Sequence, residues 1–233
     1  MKTIGLIGGM SWQSSAEYYR LINEGVNARL DGHNNAKSLM VTVNFHDIET
    51  QQHQGRWDEL GRQMALSARQ LQAGGADFIV LCTNTMHLVA EEIERATDLP
   101  LLHIADATAQ AVQRAGIQRV GLLGTRFTME KEFYRGRLQS RHGIEVIVPS
   151  AQDQETVHRI IYEELCHGAV RDVSREEYRR VMQTLQASGA DAIVLGCTEI
   201  GLLVKAEDSP APLFDSTRIH AQQAVETALA DGA

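Results

Sequence analysis

The chain has 233 residues, 43% of them hydrophobic, with a formal net charge of −8, enough apolar material for one large core or two modest ones. Basic residues are scattered rather than clustered, which argues against nucleic acid or an anionic membrane surface as partner. No apolar run is long enough to cross a bilayer, and the apolar stretch in the opening MKTIGLIGGMSW is too short for a signal-peptide core. The expectation is a cytoplasmic protein.

Strands and helices alternate along the chain. TIGLIG reads as a first strand, and Ser14 with Glu17 as an S-x-x-E capping box for the helix AEYYRLINEGVNARL. SLMVTVNF is a second strand, and WDELGRQMALSARQLQAGG a helix ending in glycines suited to a left-handed cap. FIVLCT, helix NTMHLVAEEIERA, strand LLHI and helix DATAQAVQRAG follow. RVGLLGT, helix TMEKEFYRGRL and strand EVIV precede two consecutive helices, QETVHRIIYEELCHG and REEYRRVMQTLQASG. AIVLGCT, helix EIGLLVKAE, strand PLFD and helix TRIHAQQAVETALA complete the series. Short β-branched strands between longer helices predict α/β parallel sheets covered on both faces.

An internal repeat organises this pattern. LQAGGADFIVLCTNT from Leu71 matches LQASGADAIVLGCTEI from Leu185, an offset of 114; IGLIGG from Ile4 matches VGLLGT from Val120 at 116, and PLLHIA from Pro100 matches PLFDST from Pro212 at 112. Three blocks in the same order predict two pseudo-symmetric α/β domains from an internal duplication, with the active site in the cleft between them. The first would comprise 1–105 plus 216–233 and the second 106–215.

The repeat also sets a register. At the offset of 114 the counterpart of Cys197 is Thr83, and that of Cys82 is Gly196. A shift of one residue in a strand points the side chain to the opposite face, so Cys82 is expected to be a buried small residue behind the site. Thr83-Asn84-Thr85 and Cys197-Thr198-Glu199 then lie at equivalent strand-to-helix junctions, where ligands bind open parallel sheets and helix N-termini offer N–H donors. The same position is expected to favour a thiolate. Two proton carriers on opposite faces of one Cα are what stereoinversion needs, with N–H donors stabilising the charge that develops.

No cofactor is expected. The four lysines, Lys2, Lys37, Lys131 and Lys205, lack a recognisable Schiff-base context, and GLIGGM lacks G-x-G-x-x-G spacing. GLIGGM instead reads as a tight turn bringing the backbone of Gly9 and Met10 close to a small anion. The nine histidines form neither H-x-x-x-H nor H-x-H, so no metal site is expected. Cys82, Cys166 and Cys197, without C-x-x-C, should be free thiols.

GLIGGMSW, CTNTMH at 82–87 and GCTEI at 196–200 resemble the motifs of the aspartate/glutamate racemase family, and the likeness extends over the whole length. In particular the chain is similar to the enterobacterial L-aspartate/glutamate-specific, broad-specificity racemases. The resemblance implies two α/β domains, an active site between them, no pyridoxal phosphate, a small acidic amino acid as substrate and a homodimer. It makes Cys197 the second-half catalytic cysteine acting on the L-substrate, and puts Thr83 where most members carry cysteine. Met10, Gln52, Thr83, Asn84, Thr85, Glu164, Thr198 and Glu199 fall on positions resembling substrate-contacting ones. Threonine is a far weaker acid than a thiol, so D-substrates are expected to react slowly.

Other residues have plainer readings. Cys166 is expected to be structural, Glu163 and Glu164 a solvated helix face but for the resemblance, and His103 and Asp215 loop caps. His87 reads equally as an orienting or a packing group, and nothing in the spacing singles out Arg56 or Arg126. Alternatives to a racemase of acidic amino acids are a hydantoin racemase, maleate isomerase or arylmalonate decarboxylase type of enzyme, or a non-catalytic amino-acid-binding protein.

Overall fold

The structure, a computed structural model, describes residues 1–230. The chain forms two compact units, Met1–His103 with the segment from His220 onwards, and Ile104–Ile219.

In the first unit β1 (Ile4–Gly8) is followed by α1 (Trp12–Leu30), β2 (Ser38–Thr42), α2 (Phe45–His53) and α3 (Trp57–Ala73). Then come β3 (Phe78–Leu81), a 3-10 turn over Thr85–Val89, α4 (Ala90–Ala96) and β4 (Leu101–Leu102). The strands form a parallel sheet in the order β2-β1-β3-β4. In α1, Ser14, Tyr18, Ile22 and Val26 recur every fourth residue, so one face is buried. Tyr18, Ile22 and Val26 share a core with Ile4, Leu6, Phe78 and Val80.

The second unit runs α5 (Ile104–Arg114), β5 (Arg119–Gly124), α6 (Arg126–Glu130), α7 (Glu132–His142), β6 (Glu145–Ile147), α8 (Ala151–Glu163) and α9 (Asp172–Ala187). After these come β7 (Ala192–Gly196), α10 (Ile200–Leu203), β8 (Leu213–Asp215) and α11 (Ser216–Leu229), within which the boundary between units falls. Its parallel sheet has the order β6-β5-β7-β8, the first unit's order repeated.

The ladders repeat in register as well. Ile4 pairs with Phe78 and Ile79 with Leu101 in one sheet; Val120 pairs with Ala192 and Ile193 with Leu213 in the other. These pairs are related by the three offsets read from the sequence, so the small drift between blocks is absorbed in loops.

The repeated LQA-x-GAD block is a helix stop. Ala76 N–H bonds to Leu71 O and Gly75 N–H to Gln72 O, with Gly75 at φ 90°; Ala190, Leu185, Gly189 and Gln186 repeat the pattern, with Gly189 at φ 100°. Only glycine adopts that conformation without strain. The Asp77 and Asp191 amides then bond to Thr3 O and Arg119 O, attaching each turn to its sheet.

Some boundaries differ from the sequence reading. α1 starts earlier, and Ser11 rather than Ser14 is its N-cap, its hydroxyl accepting from Ser14 N. Strand β2 ends at Thr42, and α2 occupies a stretch read partly as strand. TMEKEFYRGRL splits into α6 and α7 at Lys131, and EIGLLVKAE shortens to the four-residue α10 and a 3-10 turn.

Candidate functional site

In the first unit the end of β3 curls over. Cys82 N–H still bonds to Ile7 O, but Thr83 N–H turns back to Leu81 O, and His87 N–H bonds to Asn84 O in the 3-10 turn. Thr83, Asn84 and Thr85 are 7%, 3% and 5% exposed, unusual burial for three consecutive polar residues. Cys82 has no exposed surface and belongs to the core with Tyr18 and Val80, and burial pushes its thiol far up. Register thus places it away from the polar strand end, as expected.

Two more predicted residues converge on this turn. Gln52, buried on α2, donates from Nε2 to Sδ of Met86, next to Thr85. Met10 packs in the same core cluster as Met86, Leu81 and Ile7. The expected anion cradle at Gly9 needs correcting. The Gly9 amide donates to Ser15 Oγ at 2.7 Å, so it is already used within the fold. The glycine is required for another reason: a Cβ there would stand 2.2 Å from Val43 O, with φ at 90°.

In the second unit Cys197 follows β7. Its thiol donates to Glu199 Oε2 at 3.1 Å, and Thr198 Oγ1 donates to the same oxygen at 2.5 Å. Cys197 and Glu199 are both buried, at 8% and 5% exposure. The thiol pKa is raised well above its ordinary value, first by burial and then by the Glu199 carboxylate. The thiolate expected at a helix start is therefore not what the resting site favours. The helix that follows has only four residues, and desolvation plus a neighbouring negative charge outweigh it. What the arrangement offers is a thiol with a proton acceptor already in place.

Glu164 is also buried, at 5% exposure, which corrects the solvated default; Glu163 is the exposed member of the pair. The Glu164 carboxylate accepts from Ser174 Oγ at 2.6 Å, with Arg159 at 3.7 Å and Arg171 at 3.9 Å. These side chains line a polar groove of about 740 Å³ whose walls do not include Cys197, Thr198 or Glu199. Asp215 caps the first turn of α11 through the amides of Thr217 and Arg218. Cys166 is half-buried against the core, and Arg56 and Arg126 pair with exposed glutamates. Among the described residues no group of three or more His, Cys, Asp or Glu could hold a metal ion, and no helix is long and apolar enough to cross a membrane.

The sequence reading missed a cluster behind Thr83. His87, His103, His220 and Tyr18 are all buried there, and His87 Nδ1 lies 2.8 Å from the Thr83 carbonyl oxygen. The sequence signals were the place of His87 four residues after Thr83, which left an orienting or a packing role open, and the match of His103 to Asp215.

Comparison with known proteins decides the family. Asp/Glu/hydantoin racemase matches residues 7–224, nearly the whole chain. The chain belongs to this racemase family. Its relatives include the broad specificity amino-acid racemase RacX of Bacillus subtilis, 30% identical over 177 residues and 74% of each chain. A Yersinia pestis structure, named as a candidate Asp/Glu racemase, is 54% identical with a TM-score of 0.92, covering 98% of this chain and 100% of its own. An aspartate racemase homologue from Pyrococcus horikoshii is 31% identical with a TM-score of 0.84, covering 98% and 99%. As a member of the family the chain is an isomerase, and its two four-stranded sheets are the fold those structures share.

Proposed function

We propose that this racemase interconverts the L- and D-forms of aspartate and glutamate by proton transfer at Cα without a cofactor, Cys197 acting on the L-substrate and Thr83 on the opposite face. One observation carries the reading: a buried thiol just after β7 donates to the Glu199 carboxylate, at the position that the offset of 114 matches to Thr83. Glu199 accepts the thiol proton, the thiolate removes Hα, and a proton returns at Cα from the Thr83 side. Thr83 is then re-protonated from solvent while Glu199 releases its proton to solvent, which restores the thiol–carboxylate pair. Met10, Gln52, Asn84 and Thr85 in the first unit, and Thr198 and Glu199 in the second, are proposed to contact the substrate; Glu164 is proposed as a more distant member.

Support for acidic amino acids comes from the relatives, whose names specify aspartate, glutamate or broad specificity. Threonine is the weaker member of the pair, so turnover from D-substrates is slow. The equilibrium constant between enantiomers stays at one, and the asymmetry is kinetic. Cytoplasmic residence, in keeping with three free thiols, and a homodimer complete the proposal.

The test is proton NMR in deuterium oxide with a panel of L- and D-amino acids. Loss of the Hα signal of L-aspartate or L-glutamate, faster than that of the D-enantiomer, is the expected result. Ligand-induced stabilisation without any Hα exchange would make the chain a binding protein instead. Carbon dioxide released from a disubstituted malonate would make it a decarboxylase.

A further inference from the structure

Three imidazoles converge behind Thr83. His87 lies in the 3-10 turn, His103 directly follows β4, and His220 sits on α11; their exposures are 2%, 4% and 0%. The His87 ring centroid is 4.6 Å from that of His103 and 5.9 Å from that of His220. His220 is fully specified by its neighbours. Its Nε2 lies 2.8 Å from the Leu102 carbonyl oxygen, which can only accept, so Nε2 carries the proton; Nδ1 then accepts from the Tyr18 hydroxyl at 2.8 Å. Burial lowers its pKa to about 4, so the ring is neutral near pH 7. The same logic fixes His87: the Thr83 carbonyl is an acceptor, so Nδ1 donates to it.

The second half of the duplication lacks this apparatus. By the offsets of 114 and 112, His87 corresponds to Gly201 and His103 to Asp215. A Cβ on Gly201 would meet Asp215 Oδ2 at 3.0 Å, so a carboxylate crowds the place of the second imidazole. The imidazole pair therefore serves the Thr83 strand end alone. Threonine has few allowed rotamers, so the direction of its hydroxyl follows from its backbone. Proton transfer is sensitive to misplacement by a fraction of an ångström.

We propose that His87 is a positioning residue: its Nδ1–H···O=C bond to Thr83, with the ring packed against His103 and His220, fixes the Thr83 backbone and so aims the hydroxyl at the substrate Cα. This inference rests on the racemase reading above. It separates the two faces of the reaction, because the Cys197 carbonyl accepts from the Ile200 amide rather than from an imidazole.

The experiment compares His87→Leu, His87→Phe and His87→Asn in the full-length protein. Leucine and phenylalanine fill the space without a donor, so the test does not depend on either one folding. Asparagine keeps an amide N–H within reach of the same carbonyl. Deuterium wash-in is followed separately from D-aspartate and from L-aspartate. The Leu and Phe variants should lose at least about tenfold from the D-side, while the L-side stays within about threefold; Asn should restore most of the D-side rate. Equal loss from both sides in a protein with unchanged thermal midpoint, or no rescue by Asn, overturns the positioning role. A wild-type protein that exchanges neither enantiomer overturns the racemase reading instead.

Discussion

The Cys197 thiol donates to Glu199 Oε2 at 3.1 Å, an oxygen that also accepts from the Thr198 hydroxyl. Burial and this carboxylate both disfavour the thiolate, and the pKa is raised accordingly. Replacing Glu199 by Gln removes the charge and keeps the shape. The pH midpoint for iodoacetamide labelling of Cys197, read by peptide mass spectrometry, should move down by on the order of one unit. Racemisation should nevertheless fall by about tenfold to a hundredfold, because the proton acceptor is lost. An unchanged midpoint would mean that the Glu199 charge does not reach the thiol.

Cys82 lies one residue before Thr83 and has no exposed surface. Cys82→Ala should cost about 1 kcal/mol, a small core deletion, and leave deuterium wash-in within about twofold. Loss of exchange in a folded Cys82→Ala protein would overturn the register that makes Thr83 the partner of Cys197.

Gly196 is the counterpart of Cys82, and here no side chain fits. A Cβ would stand 2.9 Å from both Leu123 O and Leu122 Cδ1. Gly196→Ala should lower stability by about 1–3 kcal/mol through overpacking, measured by urea unfolding. A neutral substitution would mean that the β5–β7 ladder yields more easily than its backbone contacts imply.

His220 makes stability depend on pH. Its folded pKa is lowered from 6.5 to about 4 by burial, opposed by the bond to Leu102. The unfolded chain takes up a proton near 6.5 that the folded chain refuses until about 4. The contribution is whole above 6.5, falls as pH drops through this window, and is gone below about 4; its size is roughly 3 kcal/mol. Gln at this position can donate to Leu102 and accept from Tyr18 without titrating. Thermal midpoints of His220→Gln between pH 7 and pH 4 should therefore fall less steeply than wild type, and parallel curves would count against a buried neutral imidazole.

Much of this was legible in the residues, for reasons the structure makes physical. The LQA-x-GAD block is a helix stop needing Gly75 or Gly189 at positive φ, so it persists in both halves and sets the register of Thr83 and Cys197. α2 was hidden because VNF continues the apolar strand pattern, and only Ile48 and Gln52 of the helix are buried. His220 was hidden because Leu102 is 118 residues away, beyond any local pattern. The thiolate expectation failed because a rule about helix starts ignores desolvation, which dominates at a cysteine 8% exposed.

The central claim is that Cys197 works on the L-substrate and Thr83 on the opposite face. Deuterium wash-in from L- and D-aspartate, measured on Cys197→Ala and Thr83→Ala, tests it most directly. Cys197→Ala should abolish exchange from L-aspartate, while Thr83→Ala should still exchange its Hα but no longer invert it. Full exchange in Cys197→Ala, or equal initial rates from the two enantiomers in the wild type, would contradict it.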